Sequence, residues 1–319
     1  MNPQTFKELA DLYTSSAHFS TLAPNTQKKD IRAFDKLISV GGDMEVYYTP
    51  DHTRTFEQGG LWFKAIATIN GGLSNHQRNY YRRYIKALYA WANRSIGLPL
   101  GTCPATNIPV LAYEAKETMP FTRSDIQKVV EYRKATRNAY TKSELIASYF
   151  TEFLFETGMR PSEALRLRVE DIVLDHSSDE SILNEERLIA VIGAKKREQG
   201  KVSRYLAVTP AVEACIKYFM TNRATIKPEH DLLICSVKGL TYNLVKITET
   251  FKKVLKKAGV VSRQMYDLRR GCATEIIHNP LYGITVAQKQ LGHQNITTTQ
   301  LYENLNKIQA AKLFKGHNQ

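Results

Sequence analysis

The sequence predicts a mainly α-helical fold with a small antiparallel β-sheet, in which an all-α domain precedes an α+β domain. Three observations carry this prediction. Apolar residues recur at helical spacing through the first hundred residues, a stretch with four prolines follows at 97–120, and two short apolar runs flank a basic turn between residues 187 and 208. At 319 residues the chain is long enough for two domains, each with its own core.

The charge of the chain is basic and unevenly placed. The formal net charge is +13, and residues 187–270 hold 18 Lys and Arg against 6 Asp and Glu. This local excess indicates a polyanionic partner, although a solvated basic surface has the same composition. The four cysteines lack metal-ligand spacing and are expected as reduced, packed thiols, and no segment resembles a signal peptide or a membrane span. We therefore expect a cytoplasmic protein.

Four helices are predicted in the first domain, which we place at residues 1–110. They cover residues 5–16, 25–42, about 55–69 and 74–97, with glycines closing the second and third. The fourth helix alternates basic and aromatic residues. Its aromatic positions form the core stripe of one helix, and its basic positions are candidates for contact with DNA phosphates on another face: Arg78, Arg82, Arg83 and Lys86.

The proline-containing segment 97–120 has little periodicity, which predicts a linker, and we place the domain boundary at 111–120. The second domain, 121–319, contains a capping box at Thr141 and Glu144 that begins a wide apolar helix.

That helix ends at Gly158, and Pro161 suits the first turn of the next helix. Arg160 is therefore predicted in a tight turn between two packed helices, a rigid mount for a catalytic group. Taken alone, Arg160 also reads as a helix-end arginine paired with Glu163.

A β-hairpin is predicted after the acidic residues 170–186, which are expected as an irregular loop. Its turn either reaches a nucleic-acid groove or is a solvated tip, and its basic residues are Lys195, Lys196, Arg197 and Lys201. Helices are expected from Pro210 and at 248–260, with a short strand at Leu232–Val237.

The last informative stretch, residues 264–304, combines an arginine pair (Arg269, Arg270), a Leu-Gly-His turn ending at His293, and Tyr302. Guanidinium groups are always protonated and bind two phosphate oxygens at once. A tyrosine can attack phosphorus and store the bond energy in a covalent intermediate, and the departing sugar oxygen needs a proton donor. With Arg160 and a lysine, these residues suit phosphodiester chemistry without a metal.

These motifs in this order closely resemble the tyrosine recombinases, the phage integrase family. The resemblance spans most of the chain and rests on TGMRPSEAL, the basic hairpin, YDLRR, LGH and TTQLY. It implies that Arg160 and Arg269 are the catalytic arginines, with Glu163 a supporting carboxylate. It further implies that His293 binds the phosphate or carries a proton and that Tyr302 is the nucleophile.

Two positions in this comparison are less direct. The general-acid lysine of the family corresponds to Lys195 or Lys196, and Lys201 is a third, less favoured candidate. Tyr266 stands where the family has a histidine, and a phenol can hydrogen-bond a phosphate but cannot carry positive charge near neutral pH. Arg197, Lys201 and Arg270 are expected to contact DNA.

The resemblance implies site-specific recombination of double-stranded DNA through a 3′-phosphotyrosine, without ATP, metal or other cofactor. It also implies a homo-tetramer in which residues 305–319 pack onto a neighbouring subunit, with DNA-bending accessory proteins as possible partners. A bacterial host or a mobile element, with the protein near the nucleoid, fits such a role.

Three alternatives stay open. They are a type IB topoisomerase or resolvase-like enzyme, a DNA-binding protein of the same fold with lost catalysis, and, more weakly, a metal nuclease.

Overall fold

The computed structural model of the chain describes residues 2–48, 52–113, 119–135, 140–174, 187–192, 202–279 and 281–303. The chain divides into two compact units, residues 1–116 and 117–319. The prediction of a mainly α fold with a small antiparallel sheet is confirmed. Within the described ranges, no helix is both long and apolar enough to cross a bilayer.

The first unit is built from helices around one apolar core. They are α1 (Phe6–Thr14), α2 (Ala17–Ser20), α3 (Pro24–Gly41), α4 (His52–Thr68) and α5 (Asn75–Ile96). Capping boxes begin α1 at Thr5 and α5 at Ser74, because each side chain accepts a hydrogen bond from the amide three residues on. The helices bury Phe6, Trp62 and Leu88 in this core.

Part of the segment predicted as a linker belongs to that core. Leu98, Ala105 and Ile108 are buried among the helices of the first unit, and residues 104–106 form a 3₁₀ turn. The prolines indicated a segment with little regular secondary structure, but such a segment can still pack its apolar side chains into a core.

The second unit surrounds a larger core with helices and a sheet. Its helices are α6 (Arg123–Ala135), α7 (Lys142–Thr157), α8 (Pro161–Ala164), α9 (Pro210–Ile226), α10 (Leu244–Lys257), α11 (Tyr266–His278), α12 (Gly283–Leu291) and α13 (Thr297–Glu303). Helix α7 is buried on most of its surface, as its wide apolar face predicts. Cys215, Cys235 and Cys272 are buried free thiols in this unit, and Cys103 of the first unit is half-buried.

The sheet has the order β1 (Ile172–Leu174), β2 (Arg187–Ile192), β3 (Val202–Ala207), and both pairs are antiparallel. The hairpin strands β2 and β3 agree with the sequence prediction. Strand β1 was expected as part of an irregular acidic loop, because three residues are too few to show a period of two. The hairpin turn, including Lys195, Lys196, Arg197 and Lys201, lies outside the described residues, as does 305–319.

The strand predicted at Leu232–Val237 is wrong. Only isolated bridges form there, between Arg168 and Leu232 and between Cys235 and Thr241. The apolar run is buried at Leu233 and Ile234, so its hydrophobicity reflects the core and not a ladder.

Candidate active site

The first site arginine lies in a tight turn between α7 and α8. Gly158 ends α7 in the left-handed conformation (φ 63°), and a Cβ there would meet Cys272 Sγ at 3.0 Å. Two residues later Arg160 is the N-cap of α8. Its amide donates to Glu163 Oε2 at 3.0 Å, and its Nη1 donates to Oε1 at 2.7 Å. The pairing of Arg160 with Glu163 at the helix end therefore also fixes Arg160 in the tight turn, so both interpretations of this arginine describe one structure.

The second arginine, Arg269 of α11, is fully buried. Its Nη1 donates to the carbonyl of Gly158 at 2.7 Å, and its Nη2 donates to the carbonyl of Leu291 at 2.6 Å. These bonds join α11 to the end of α7 and the end of α12. Burial, and next the charge of Arg160, lower the pKa of this guanidinium from its ordinary value.

His293 follows the left-handed Gly292 that ends α12, as the Leu-Gly-His motif predicts. Its Nε2 lies 2.9 Å from Arg269 Nη2, and its Nδ1 lies 2.9 Å from the hydroxyl of Thr299 in α13. Burial lowers the pKa of the imidazole to about 4, with further contributions from the charges of Arg269, Arg160 and Arg204. The ring is consequently neutral near pH 7.

A third arginine, Arg204 of β3, joins this group and was missed by the sequence reasoning. Its Nη2 donates to Glu163 Oε2 at 2.9 Å, and its side chain is 8 % exposed. A Cβ on Gly292 would lie 2.9 Å from Arg204 Nη1, so glycine leaves room for this guanidinium. The sequence did contain one indication of this position. Alternate side chains of a β-strand lie on the same face, so Arg204 shares a face with the buried Leu206.

Glu163 is the carboxylate at the centre of these contacts. Burial alone would raise the pKa of Glu163, but hydrogen bonds and charge from Arg204, and then contacts with Arg160, hold it at about 2. We call the set Arg160, Glu163, Arg204, Arg269 and His293 the anion pocket. It contains three positive charges and one negative charge, a net charge of +2 with His293 neutral.

The pocket also holds more hydrogen-bond donors than acceptors. The Nε atoms of Arg204 and Arg269 are buried, and neither has an acceptor among the described residues. A surplus of fixed donors and positive charge is the property of an anion site.

Tyr266 begins α11 and lines a cleft of about 610 Å³ together with Arg160, Lys252 and Arg263. The guanidinium of Arg270 lies over its ring, 5.9 Å from the centroid, and donates to Asp267 at 3.0 Å. The phenol is thus on the Arg160 side of the site, where the family resemblance expects a histidine.

Helix α13 carries the predicted nucleophile. The backbone of Tyr302 belongs to this helix, and its side chain lies outside the described part of the structure. α13 is connected to the anion pocket through the Thr299 contact with His293.

The basic positions of α5 differ among themselves. Arg83 and Lys86 are exposed, whereas Arg82 donates through Nε to the carbonyl of Ile108 at 2.7 Å. Arg78 is half-buried over the ring of Phe63. No group of three or more His, Cys, Asp or Glu within the described residues could hold a metal ion.

The fold is that of site-specific DNA recombinases of known structure. It is similar to the Tn1549 transposon integrase in complex with circular intermediate DNA, at a TM-score of 0.68 and 18 % identity over 94 % of this chain and 95 % of that chain. It is also similar to the XerH site-specific recombinase bound to palindromic difH substrate, at a TM-score of 0.66. The two are 16 % identical, over 98 % of this chain and 94 % of that chain. At these identities the likeness concerns the fold alone.

Residues 121–308, more than half of the sequence, match the model of the phage integrase family. The chain therefore belongs to that family. The tyrosine recombinase XerD of Staphylococcus saprophyticus is 28 % identical over 170 residues, 51 % of each chain. XerD of Staphylococcus aureus strain Mu50 is 26 % identical over 197 residues, 60 % of this chain and 56 % of that protein. The match thus spans about half the length of these curated relatives.

Proposed function

We propose that the protein is a site-specific tyrosine recombinase that cuts and rejoins double-stranded DNA through a 3′-phosphotyrosine intermediate. The observation that carries the proposal is the anion pocket, where Arg160, Arg204 and Arg269 converge next to His293. Helix α13, which contains Tyr302, is bonded to that same histidine. A preorganised pocket with a net charge of +2 suits a phosphodiester, whose transition state gains negative charge on the non-bridging oxygens.

In the proposed reaction, the Tyr302 phenol loses its proton and its oxygen forms a bond to the scissile phosphorus. The bond from phosphorus to the 5′ oxygen breaks, and a general acid delivers a proton to that oxygen. Lys195 or Lys196 fits this donor role by family resemblance. A 5′ hydroxyl from a partner strand then attacks the phosphotyrosine and releases Tyr302, so the number of phosphodiester bonds is conserved without ATP.

Arg160 and Arg269 would bind the non-bridging oxygens, and His293 would donate a hydrogen bond to one of them. The guanidinium groups neutralise the negative charge of the phosphate, as a metal ion does in metal-dependent nucleases. We therefore propose that no metal or cofactor is required. Tyr266 would bind a phosphate oxygen through its hydroxyl. We also propose action as a homo-tetramer on two DNA sites in the cytoplasm, with 305–319 contacting a neighbouring subunit and accessory DNA-bending proteins assisting.

A second candidate is a DNA-binding protein of the same fold with lost catalysis. The observation that favours it is Tyr266, since a phenol cannot replace the charge of a protonated histidine.

A nicked-duplex trapping experiment tests the proposal and separates the two candidates. The protein is incubated in EDTA with duplexes that have a random core sequence and a nick in it. When cleavage occurs near the nick, the released 5′-hydroxyl strand is short and diffuses away, so the adduct cannot be rejoined. Adducts that survive SDS and not protease are then sequenced. We expect adducts with wild-type protein and with Tyr282→Phe, whose tyrosine is 52 % exposed, but none with Tyr302→Phe.

DNA binding by Tyr302→Phe should match the wild type in a mobility-shift assay, because only the attacking oxygen is lost. An adduct formed by Tyr302→Phe would remove Tyr302 from the nucleophile role. Binding without any adduct from the wild type would favour the non-catalytic candidate, and adducts that require a divalent ion would overturn the metal-free mechanism.

A further inference from the structure

Thr299 is a buried hydroxyl next to His293, and although it belongs to the TTQLY motif, the family resemblance gives a role in that motif only to Tyr302. The residue is 0 % exposed, and its Oγ1 lies 2.9 Å from His293 Nδ1. It belongs to α13, three residues before Tyr302 and one turn along the same helix. His293 therefore has one ring nitrogen facing an arginine and the other facing the helix of the nucleophile.

The direction of these two hydrogen bonds follows from the chemistry of the groups. A guanidinium can only donate, so Arg269 Nη2 donates to His293 Nε2, which must be unprotonated. A neutral imidazole carries one N–H, and here it must be on Nδ1. The Nδ1–H then donates to Thr299 Oγ1. The low pKa of His293, about 4, agrees with a neutral ring.

This tautomer is the wrong one for the phosphate. In the proposed reaction His293 donates a hydrogen bond from Nε2, but in this structure Nε2 is an acceptor occupied by Arg269. When a phosphate oxygen replaces Nε2 as the acceptor of the Arg269 Nη2 hydrogen, with the bonds to Gly158 and Leu291 retained, Nε2 needs a proton and Nδ1 must become an acceptor. A hydroxyl both donates and accepts, so Thr299 can partner Nδ1 in either state.

We infer that Thr299 is a positioning residue that supports a tautomer exchange of His293, from Nδ1–H without DNA to Nε2–H with a scissile phosphate bound. The inference rests on the proposed function. Water takes the proton from Nδ1 and water donates a proton to Nε2, so the ring gains no net charge. The Thr299 hydroxyl rotates and reverses its hydrogen bond.

The exchange also connects His293 to the position of α13. Thr299 contacts Nδ1 only while α13 lies against α11 and α12, as it does here. A histidine that is ready to donate to the phosphate thus requires the helix of Tyr302 to be in place, which links phosphate recognition to nucleophile docking.

A buried threonine can also serve only to satisfy its own hydroxyl within the core. The two roles predict different protonation of the His293 ring nitrogens. Only the positioning role predicts that the proton is on a different nitrogen once DNA is bound. We propose ¹⁵N NMR of the histidine side chains on selectively labelled protein, with the His293 signals assigned from His293→Gln. The states compared are the wild type alone and Tyr302→Phe bound non-covalently to the same nicked DNA.

The expected result is a protonated Nδ1 in the free protein and a protonated Nε2 in the DNA complex. In Thr299→Val bound to the same DNA, with Tyr302→Phe, a mixture of tautomers is expected because Nδ1 has lost its donor. Protonated Nε2 in the free wild type, or the same tautomer with and without DNA, would overturn the inference. These measurements need no catalytic turnover, so they stand apart from failure of the proposed function.

Cleavage supplies the second readout. Thr299→Val should form adduct about tenfold more slowly, the effect of losing one buried hydrogen bond, with unchanged DNA affinity. Thr299→Ser keeps the hydroxyl and should be close to wild type, as should Thr298→Val at the exposed neighbouring position. Equal rates for Thr299→Val and the wild type would contradict the role, and a Val variant that fails to fold leaves the wild-type tautomer measurement as the deciding result. Absence of adduct from the wild type would overturn the proposed function, whereas the tautomer comparison would still decide the role of Thr299.

Discussion

The arginines of the anion pocket and the exposed basic residues of α5 are held in different ways. In the pocket, Arg269 is fixed by two backbone carbonyls and Arg204 by the carboxylate of Glu163. On α5, Arg83 and Lys86 extend from the helix surface and are exposed. A rigid charge can be aimed at one atom, whereas an exposed charge adapts to a neighbouring phosphate at little structural cost.

This difference separates catalysis from affinity. Stabilising a transition state requires donors at defined positions before the substrate arrives. Affinity for a DNA backbone depends mainly on how many phosphates are neutralised. Substitutions in the pocket should therefore change the rate of cleavage with little effect on binding, and substitutions on the exposed face of α5 should do the reverse.

The largest effect is expected from Arg269→Lys. An ammonium group cannot reach Gly158, Leu291 and a phosphate together, so adduct formation should fall by about 10²–10³. Each buried carbonyl left without a donor costs about 1–3 kcal/mol, so thermal unfolding should also occur at a lower temperature. Adduct yield per minute and a melting curve measure the two effects.

Arg270→Lys is the matched control for that substitution. Arg270 is the next residue of α11, is partly exposed and pairs with Asp267 on its own helix. We expect its cleavage rate to stay within about threefold of the wild type, because Arg270 is partly exposed and a lysine there keeps the positive charge next to Asp267. Equal losses for the two variants would show that the buried geometry of Arg269 is not what cleavage requires.

The sequence predicted those parts of the site that depend on local order. The capping box at Thr141, the left-handed Gly158 and the turn at Pro161 place Arg160, and all follow from helix-end chemistry. The Leu-Gly-His spacing likewise predicted the turn before His293.

Arg204 and Thr299 depend on three-dimensional packing instead. The direction of Arg204 depends on the register that pairs it with Val191, and two strands alone do not reveal which face meets Glu163. The contact of Thr299 depends on how α13 lies against the histidine. In the same way, the apolar run at 232–237 resembled a strand in the sequence, because a short apolar run does not distinguish a buried loop from a β-strand.

An intermediate effect is expected from Arg204→Met, which keeps much of the side-chain volume and removes the charge. Glu163 would retain Arg160 as a partner and lose Arg204, so the pocket becomes less positive and less fixed. We expect adduct formation to fall about tenfold, in line with one charge-assisted hydrogen bond, at unchanged DNA affinity. Arg204→Lys should recover part of the rate.

The acid stability of Arg204→Met gives an independent check. The folded-state pKa of Glu163 is about 2, below its ordinary value of 4.5, so its ionisation stabilises the fold above about pH 4.5. That contribution is lost as pH falls toward 2. The variant has a smaller pKa depression, and its deficit in unfolding free energy relative to the wild type should shrink over this pH interval. A deficit that is constant with pH would mean that Arg204 does not act through Glu163.

The smallest effect is expected from the double substitution Arg83→Ala and Lys86→Ala on α5. If both residues contact phosphates, the slope of log affinity against log salt should become shallower by about 2, since each contact contributes about 0.9. The rate of adduct formation at saturating DNA should not change. Arg82→Ala is the contrasting variant, because it removes the hydrogen bond to Ile108 and should lower the melting temperature. An unchanged salt slope for the double variant would show that α5 is not a DNA-contacting face, and the excess positive charge of residues 187–270 would then account for most of the affinity.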